Sequence, residues 1–129
     1  MKYDEYMDKE CIALCDELNM LKGITTFESC CGHLKRPYVI YFRVSNWYSL
    51  SLLSRAFDWR YGGYPWVIKI SSTDTTHKKS GVAVFELQSI KRFKSEKTMA
   101  KQVNKAIENI KFWKNEKYKK YLKGELELL

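Results

Sequence analysis

The chain has 129 residues, 45% hydrophobic and 15% aromatic, which is enough to bury one sizeable core and too apolar for a disordered segment. No apolar run reaches the roughly 18 residues of a membrane span, and the start Met1-Lys2-Tyr3-Asp4-Glu5 lacks the apolar stretch of a secretion signal. The expectation is one cytoplasmic domain over residues 1–129 with no membrane partner, whose net charge of +8 points to nucleic acid or an acidic protein.

The first predicted element is a helix from Asp8 to Leu21. Met7, Cys11, Leu14, Cys15, Leu18 and Leu21 recur at helical spacing and form its apolar stripe. Asp4, Asp8, Glu10, Asp16 and Glu17 fall mostly off that stripe. Lys22-Gly23 stops the helix, with glycine supplying a left-handed cap. Ile24 to Ser29 reads as a short strand, Cys30 to Arg36 as a loop, and Pro37 to Val44 as a central strand. Asn46 is placed to cap a second helix over Trp47 to Tyr61, with Leu50, Leu53, Phe57 and Tyr61 on one face and Gly62-Gly63 ending it. Tyr64 to Ser72 and Gly81 to Ser89 read as two strands joined by the polar segment Thr73 to Ser80, which contains His77. A long helix from Ser95 to Leu122 closes the chain, with Met99, Val103, Ala106, Ile107, Ile110 and Trp113 as its buried stripe. The order α-β-β-α-β-β-α predicts an α+β fold: one mostly antiparallel four-stranded sheet with helices packed on it.

The charge is unevenly placed. Residues 1–45 carry 6 basic and 7 acidic groups, residues 46–90 carry 5 and 3, and residues 91–129 carry 12 and 5. The basic field therefore belongs to the last helix, and Lys101, Lys105 and Lys111 are its candidate phosphate-binding residues. Trp59-Arg60-Tyr61-Gly62-Gly63-Tyr64-Pro65-Trp66 is a second dense patch. Exposed, its rings can stack on bases; otherwise Tyr61 and Trp66 belong in the core and the rest on its rim.

The sharpest candidate site is Ser29-Cys30-Cys31-Gly32-His33. A loop at a strand end is held by a rigid scaffold. Gly32 permits a tight turn whose N–H groups can cradle an anion, reinforced by Lys35 and Arg36. Either vicinal cysteine can serve as nucleophile or ligand, and His33 can tune the thiol or exchange a proton. The assignment made is Cys30 and His33 as the reactive pair, with Ser29, Gly32, Lys35 and Arg36 binding the ligand. An alternative is a zinc site built from Cys11, Cys15, Cys30 and His33, since two cysteines one helical turn apart can face the loop. Glu28 and Glu86 fall in strands, on a solvent face or flanking the loop to orient His33.

The stretch from Leu18-Asn19 through Thr25-Thr26-Phe27-Glu28-Ser29-Cys30-Cys31-Gly32-His33 resembles the Tyw3 family, linked to wybutosine synthesis in phenylalanine tRNA. Thr26, Ser29, Cys30 and Gly32 match that family's Thr-rich strand and Ser-Cys-Ser-Gly-Arg loop. Cys31 replaces its second serine and His33 its arginine. The strand Tyr38 to Val44 is also similar. The resemblance implies a related scaffold, a loop that binds a nucleotide-like ligand, and S-adenosylmethionine-dependent methylation of tRNA. Two functions therefore stand: an RNA-modifying methyltransferase with its site at Ser29–His33, or a non-enzymatic module, monomeric or dimeric, that binds nucleic acid or protein through the basic last helix. A small zinc-binding domain is the third.

Overall fold

Alternation along the central strand decides which way the sheet faces. In the computed structural model, which describes residues 7–72 and 83–115, β2 (Val39–Val44) buries Ile40, Phe42 and Val44 and leaves Val39, Tyr41 and Arg43 half-exposed. β4 (Ala83–Ser89) does the same with Phe85, Leu87 and Ser89. The two pair antiparallel with Ile40 opposite Leu87 and Phe42 opposite Phe85, so apolar groups meet on one side only. β1 (Ile24–Cys30) and β3 (Trp66–Ser72) complete an antiparallel sheet in the order β1-β2-β4-β3.

Three helices cover the apolar side: α1 (Lys9–Asn19), α2 (Trp47–Ala56) and α3 (Glu96–Trp113). Their buried residues, including Cys11, Leu14, Leu18, Leu53, Val103 and Ile110, form one cluster with the inward strand residues. On the other side of the sheet the outward residues of β2 and β4 are half-exposed or exposed. Glu28 and Glu86 lie there on either side of Tyr41 in one cross-strand row. Burial first, then Glu86 and Glu28, keep the Tyr41 phenol above its ordinary range. The two glutamates therefore occupy a solvent face, and His33 takes its carboxylate partner from elsewhere.

The expected α+β order is the one observed, with local differences. The second helix ends at Ala56 rather than Tyr61, because the Asp58 side chain accepts from the Arg60 N–H and caps a separate 3-10 turn at Trp59–Tyr61. This rotates Tyr61 out to 45% exposure, while Trp66 is buried as expected. In β1 a bulge between Thr26 and Glu28 adds one residue, Phe27. Ile24 and Thr26 face inward before it; Ser29, opposite Ile40, faces inward after it. α3 ends at Trp113 with Lys114 as its cap, short of the expected Leu122; His77 with the rest of Thr73–Ser80, and residues 116–129, lie outside the described residues.

Several polar ties lock the layers. The wholly buried Tyr38 donates its hydroxyl to the Glu10 carbonyl at 3.0 Å and its N–H to Ser89 Oγ at 3.0 Å. Asn19 and Thr26 exchange two bonds of 2.8 Å. The buried Glu17 carboxylate is met by Lys114 Nζ at 3.3 Å.

The turn after α2 depends on a close approach. A Cβ on Gly63 would stand 2.2 Å from the Phe57 carbonyl carbon, whereas one on Gly62, at φ +88, would meet nothing within 4 Å. Urea unfolding should therefore separate the two: Gly63→Ala loses about 3 kcal/mol through forced backbone movement, and Gly62→Ala about 1 kcal/mol through its left-handed conformation alone.

Candidate functional site

The chain leaves β1 through a contorted turn. Gly32, His33 and Leu34 all take positive φ, at 82°, 53° and 64°. For the two non-glycine residues this costs about 1–2 kcal/mol each, so the surroundings must hold the shape. The Lys35 and Arg36 N–H groups both donate to the Gly32 carbonyl, at 2.9 and 3.0 Å. Arg92 reaches over from beyond β4 to donate to the Leu34 carbonyl at 3.2 Å.

Beneath the turn sits Asp8, at the N-cap position of α1. Its side chain makes no bond to its own helix. Instead Oδ2 accepts from the Cys31 N–H at 2.9 Å and lies 3.5 Å from His33 Nε2. The other ring nitrogen, Nδ1, faces Cys31 Sγ at 3.7 Å. The imidazole thus bridges a thiol and a carboxylate. Partial burial works to raise the Asp8 pKa, but the Cys31 N–H and thiol, His33 and the Cys30 thiol outweigh it and hold the carboxyl below its ordinary 3.8. Cys31 is pushed the other way, up to about 11, chiefly by burial; the His33 N–H tempers this and Asp8 adds to it. The thiol is therefore protonated at neutral pH, which makes it a slow nucleophile. A cleft of about 170 Å³ edged by Glu10, Cys31, His33, Leu34, Glu96 and Met99 opens beside it.

These positions revise the sequence assignment residue by residue. The His33 ring lies between a thiol and a carboxylate, but that thiol is Cys31 rather than Cys30. Cys30 is half-exposed, opposite Val39 at the sheet end, with its sulfur 3.4 Å from the Gly32 nitrogen. Ser29 is turned inward by the bulge, where its hydroxyl tempers the Cys11 and Cys15 thiols. The N–H groups of Cys31 and Gly32 are spent on Asp8 and Cys30, so they form no cradle for an outside anion. The Lys35 and Arg36 side chains are exposed above the turn. α1 does pack against the loop, yet Cys11 and Cys15 are core residues at 0% and 1% exposure. Burial raises them to about 12 and about 11. Cys11, Cys15, Cys30 and His33 are not gathered as one donor set. Among the described residues, the group with donor atoms within 4.8 Å of one another is Asp8, Cys31 and His33. Asp8 was visible in the sequence only as a helix-start acid; nothing local marks a cap that turns away from its helix.

A second surface lies at the far end of α3. Trp59, Tyr61, Tyr64 and Phe112 are all exposed by 45% or more. The Tyr61 ring meets Trp113 edge-on at 5.6 Å, and Trp113 meets Phe112 at 5.4 Å. The Arg55 and Arg60 guanidinium groups lie 5.4 and 5.7 Å from the Tyr61 ring centre. Asn109 Nδ2 ties the turn to α3 by donating to the Ala56 and Gly62 carbonyls at 3.2 Å. Lys101, Lys105 and Lys111 are exposed on the same helix.

Comparison with family models, with curated proteins and with solved structures finds no match for this chain.

Two outcomes test this geometry. Alkylation at mildly alkaline pH, mapped by peptide mass spectrometry, should modify Cys30 first, Cys31 slowly, and Cys11 and Cys15 only on unfolding. Asp8→Asn should lower the unfolding free energy by about 1 kcal/mol at neutral pH. Because the folded carboxyl titrates below its unfolded value, its contribution is present above that value and fades as pH falls through the folded one. The stability gap between wild type and Asp8→Asn should therefore shrink in acid.

Proposed function

We propose that the protein is a binding module for single-stranded RNA. The observation that carries the reading is the surface where Trp59, Tyr61, Tyr64 and Phe112 stand exposed beside two arginines. Large rings left in water cost hydrophobic free energy that burial elsewhere would recover. Here the core is filled by Trp66, Tyr38, Phe42 and Phe85, and these rings remain outside it. Unstacked bases offer them flat apolar faces, which single-stranded RNA presents and a duplex hides.

Charge supports the same partner. Lys101, Lys105 and Lys111 are exposed on α3, and residues 91–129 carry 12 basic against 5 acidic groups. Such a field draws phosphates without reading sequence, while stacking supplies the contact energy. Arg60 is held by a fork to Asp58, with Nη2 at 2.8 Å from Oδ2, so it shapes the Tyr61 platform more than it adds free charge. The methylation implied by the Tyw3 resemblance draws little from this geometry, since the Cys31 and Gly32 N–H groups bond within the protein and Ser29 is turned inward.

Fluorescence anisotropy with a labelled single-stranded RNA of about 12 nucleotides tests the proposal. Tyr61→Ala combined with Phe112→Ala should weaken binding about tenfold or more, given about 1–3 kcal/mol per lost base stack. Reversing Lys101, Lys105 and Lys111 to glutamate should weaken it further and flatten its salt dependence. Absence of binding, or affinity indifferent to both sets of changes, would overturn it.

A further inference from the structure

We infer that Asp8, Cys31 and His33 form a binding site for a zinc-class divalent transition-metal ion, with its fourth position open to the adjoining cleft. The inference goes beyond RNA binding and depends on none of it.

The donor set comes first. One thiol, one imidazole and one carboxylate combine soft, borderline and hard ligands. That mixture suits zinc and its neighbours and disfavours magnesium or calcium, which take oxygen alone. The three donor atoms all lie within 4.8 Å of one another. Around a tetrahedral zinc they would stand about 3.5 Å apart. Two spacings are already near that: 3.7 Å from Cys31 Sγ to His33 Nδ1, and 3.5 Å from His33 Nε2 to Asp8 Oδ2. One ion takes one ring nitrogen, so the imidazole must swing slightly, and at 59% exposure the His33 side chain is free to do so.

The spacing also says what the cluster is not. The imidazole-to-carboxylate distance of 3.5 Å is longer than a good hydrogen bond, so His33 and Asp8 converge without closing a tight pair. The backbone supplies a second argument. His33 and Leu34 are held in a left-handed conformation that neither residue favours. Strain of this kind persists where the surroundings impose it and collects at ligand sites. Here it presents the imidazole over Asp8 and beside Cys31. Asp8, for its part, leaves its own helix uncapped and points to the loop.

Room for a fourth ligand follows from the cleft. Glu10 and Glu96 edge it together with Cys31 and His33, so a carboxylate or a water completes the shell. Cys30, with its sulfur on the Gly32 N–H, lies outside the donor group.

The test is titration of the reduced, metal-stripped full-length protein with zinc alone by calorimetry, and with cobalt alone by absorption. One ion per chain and a sulfur-to-cobalt charge-transfer band are expected. His33→Ala, an exposed position whose loss leaves the core intact, should weaken zinc binding about 100-fold, and Cys31→Ser should abolish the band. Far-ultraviolet circular dichroism confirms that each variant is folded. No binding, no charge-transfer band, or zinc affinity retained in folded His33→Ala would overturn the assignment.

Discussion

The bond from the Tyr38 hydroxyl to the Glu10 carbonyl fixes the first turn of α1 over the end of the sheet. Tyr38 is wholly buried, so its polar groups must be satisfied inside the protein. The hydroxyl finds α1, and the N–H finds Ser89 at the end of β4. Its ring meanwhile lies edge-on to Trp66 at 5.2 Å and to Phe93 at 6.2 Å. One residue thereby joins the first helix, two strands and the connection to the last helix. Asp8 precedes Glu10 by two residues, so fixing Glu10 is what leaves the Asp8 carboxyl beneath the loop.

Much of this was legible in the sequence, and the reason is periodicity. The stripe Cys11, Leu14, Cys15, Leu18 and Leu21 is buried as its spacing implies, because a helix facing one apolar layer has no other way to hide those groups. The nearly continuous apolar run from Pro37 to Val44 likewise marked β2 as a central strand, though not which of its residues face inward. Asn46 and Ser95 cap α2 and α3 with their side chains, accepting from Ser49 and Thr98. What stayed hidden were departures from periodicity. A bulge is one extra residue, and nothing in Thr26-Phe27-Glu28 announces it, yet it decides that Ser29 faces inward. Asp58 looks like any helix-surface acid until its side chain restarts the turn and sends Tyr61 outward.

The candidate sites show the same division. A vicinal pair followed by Gly-His drew attention to a loop whose backbone is indeed unusual, because glycine there signals a conformation other residues resist; at φ +82, a Cβ on Gly32 would stand 2.9 Å from the Pro37 carbonyl oxygen. Which of two adjacent cysteines meets the histidine is a matter of tenths of a nanometre, set by Asp8 holding the Cys31 N–H. That partner is 23 positions away in the chain, and no local pattern connects them. The lysines of α3 were legible as a solvated face, but their neighbourhood was not: Phe112 joins Tyr61 through Trp113 only once the 3-10 turn is docked by Asn109.

The bulge at Phe27 has one more consequence, for how copies of the chain meet. β1 and β3 are the two edges of the sheet, and an unpaired edge is a template on which another strand can add. On β1 the extra residue breaks the regular spacing of free backbone groups, and Arg43 lies 4.1 Å over the Phe27 ring, shielding it with a charge. That edge is a poor docking rail. On β3 the register also shifts, between Ile70 and Ser72, where Ile70 is 72% exposed with Lys69 beside it. Each edge thus carries an interruption next to a cationic side chain, and neither offers a second copy a full-length rail of evenly spaced backbone groups.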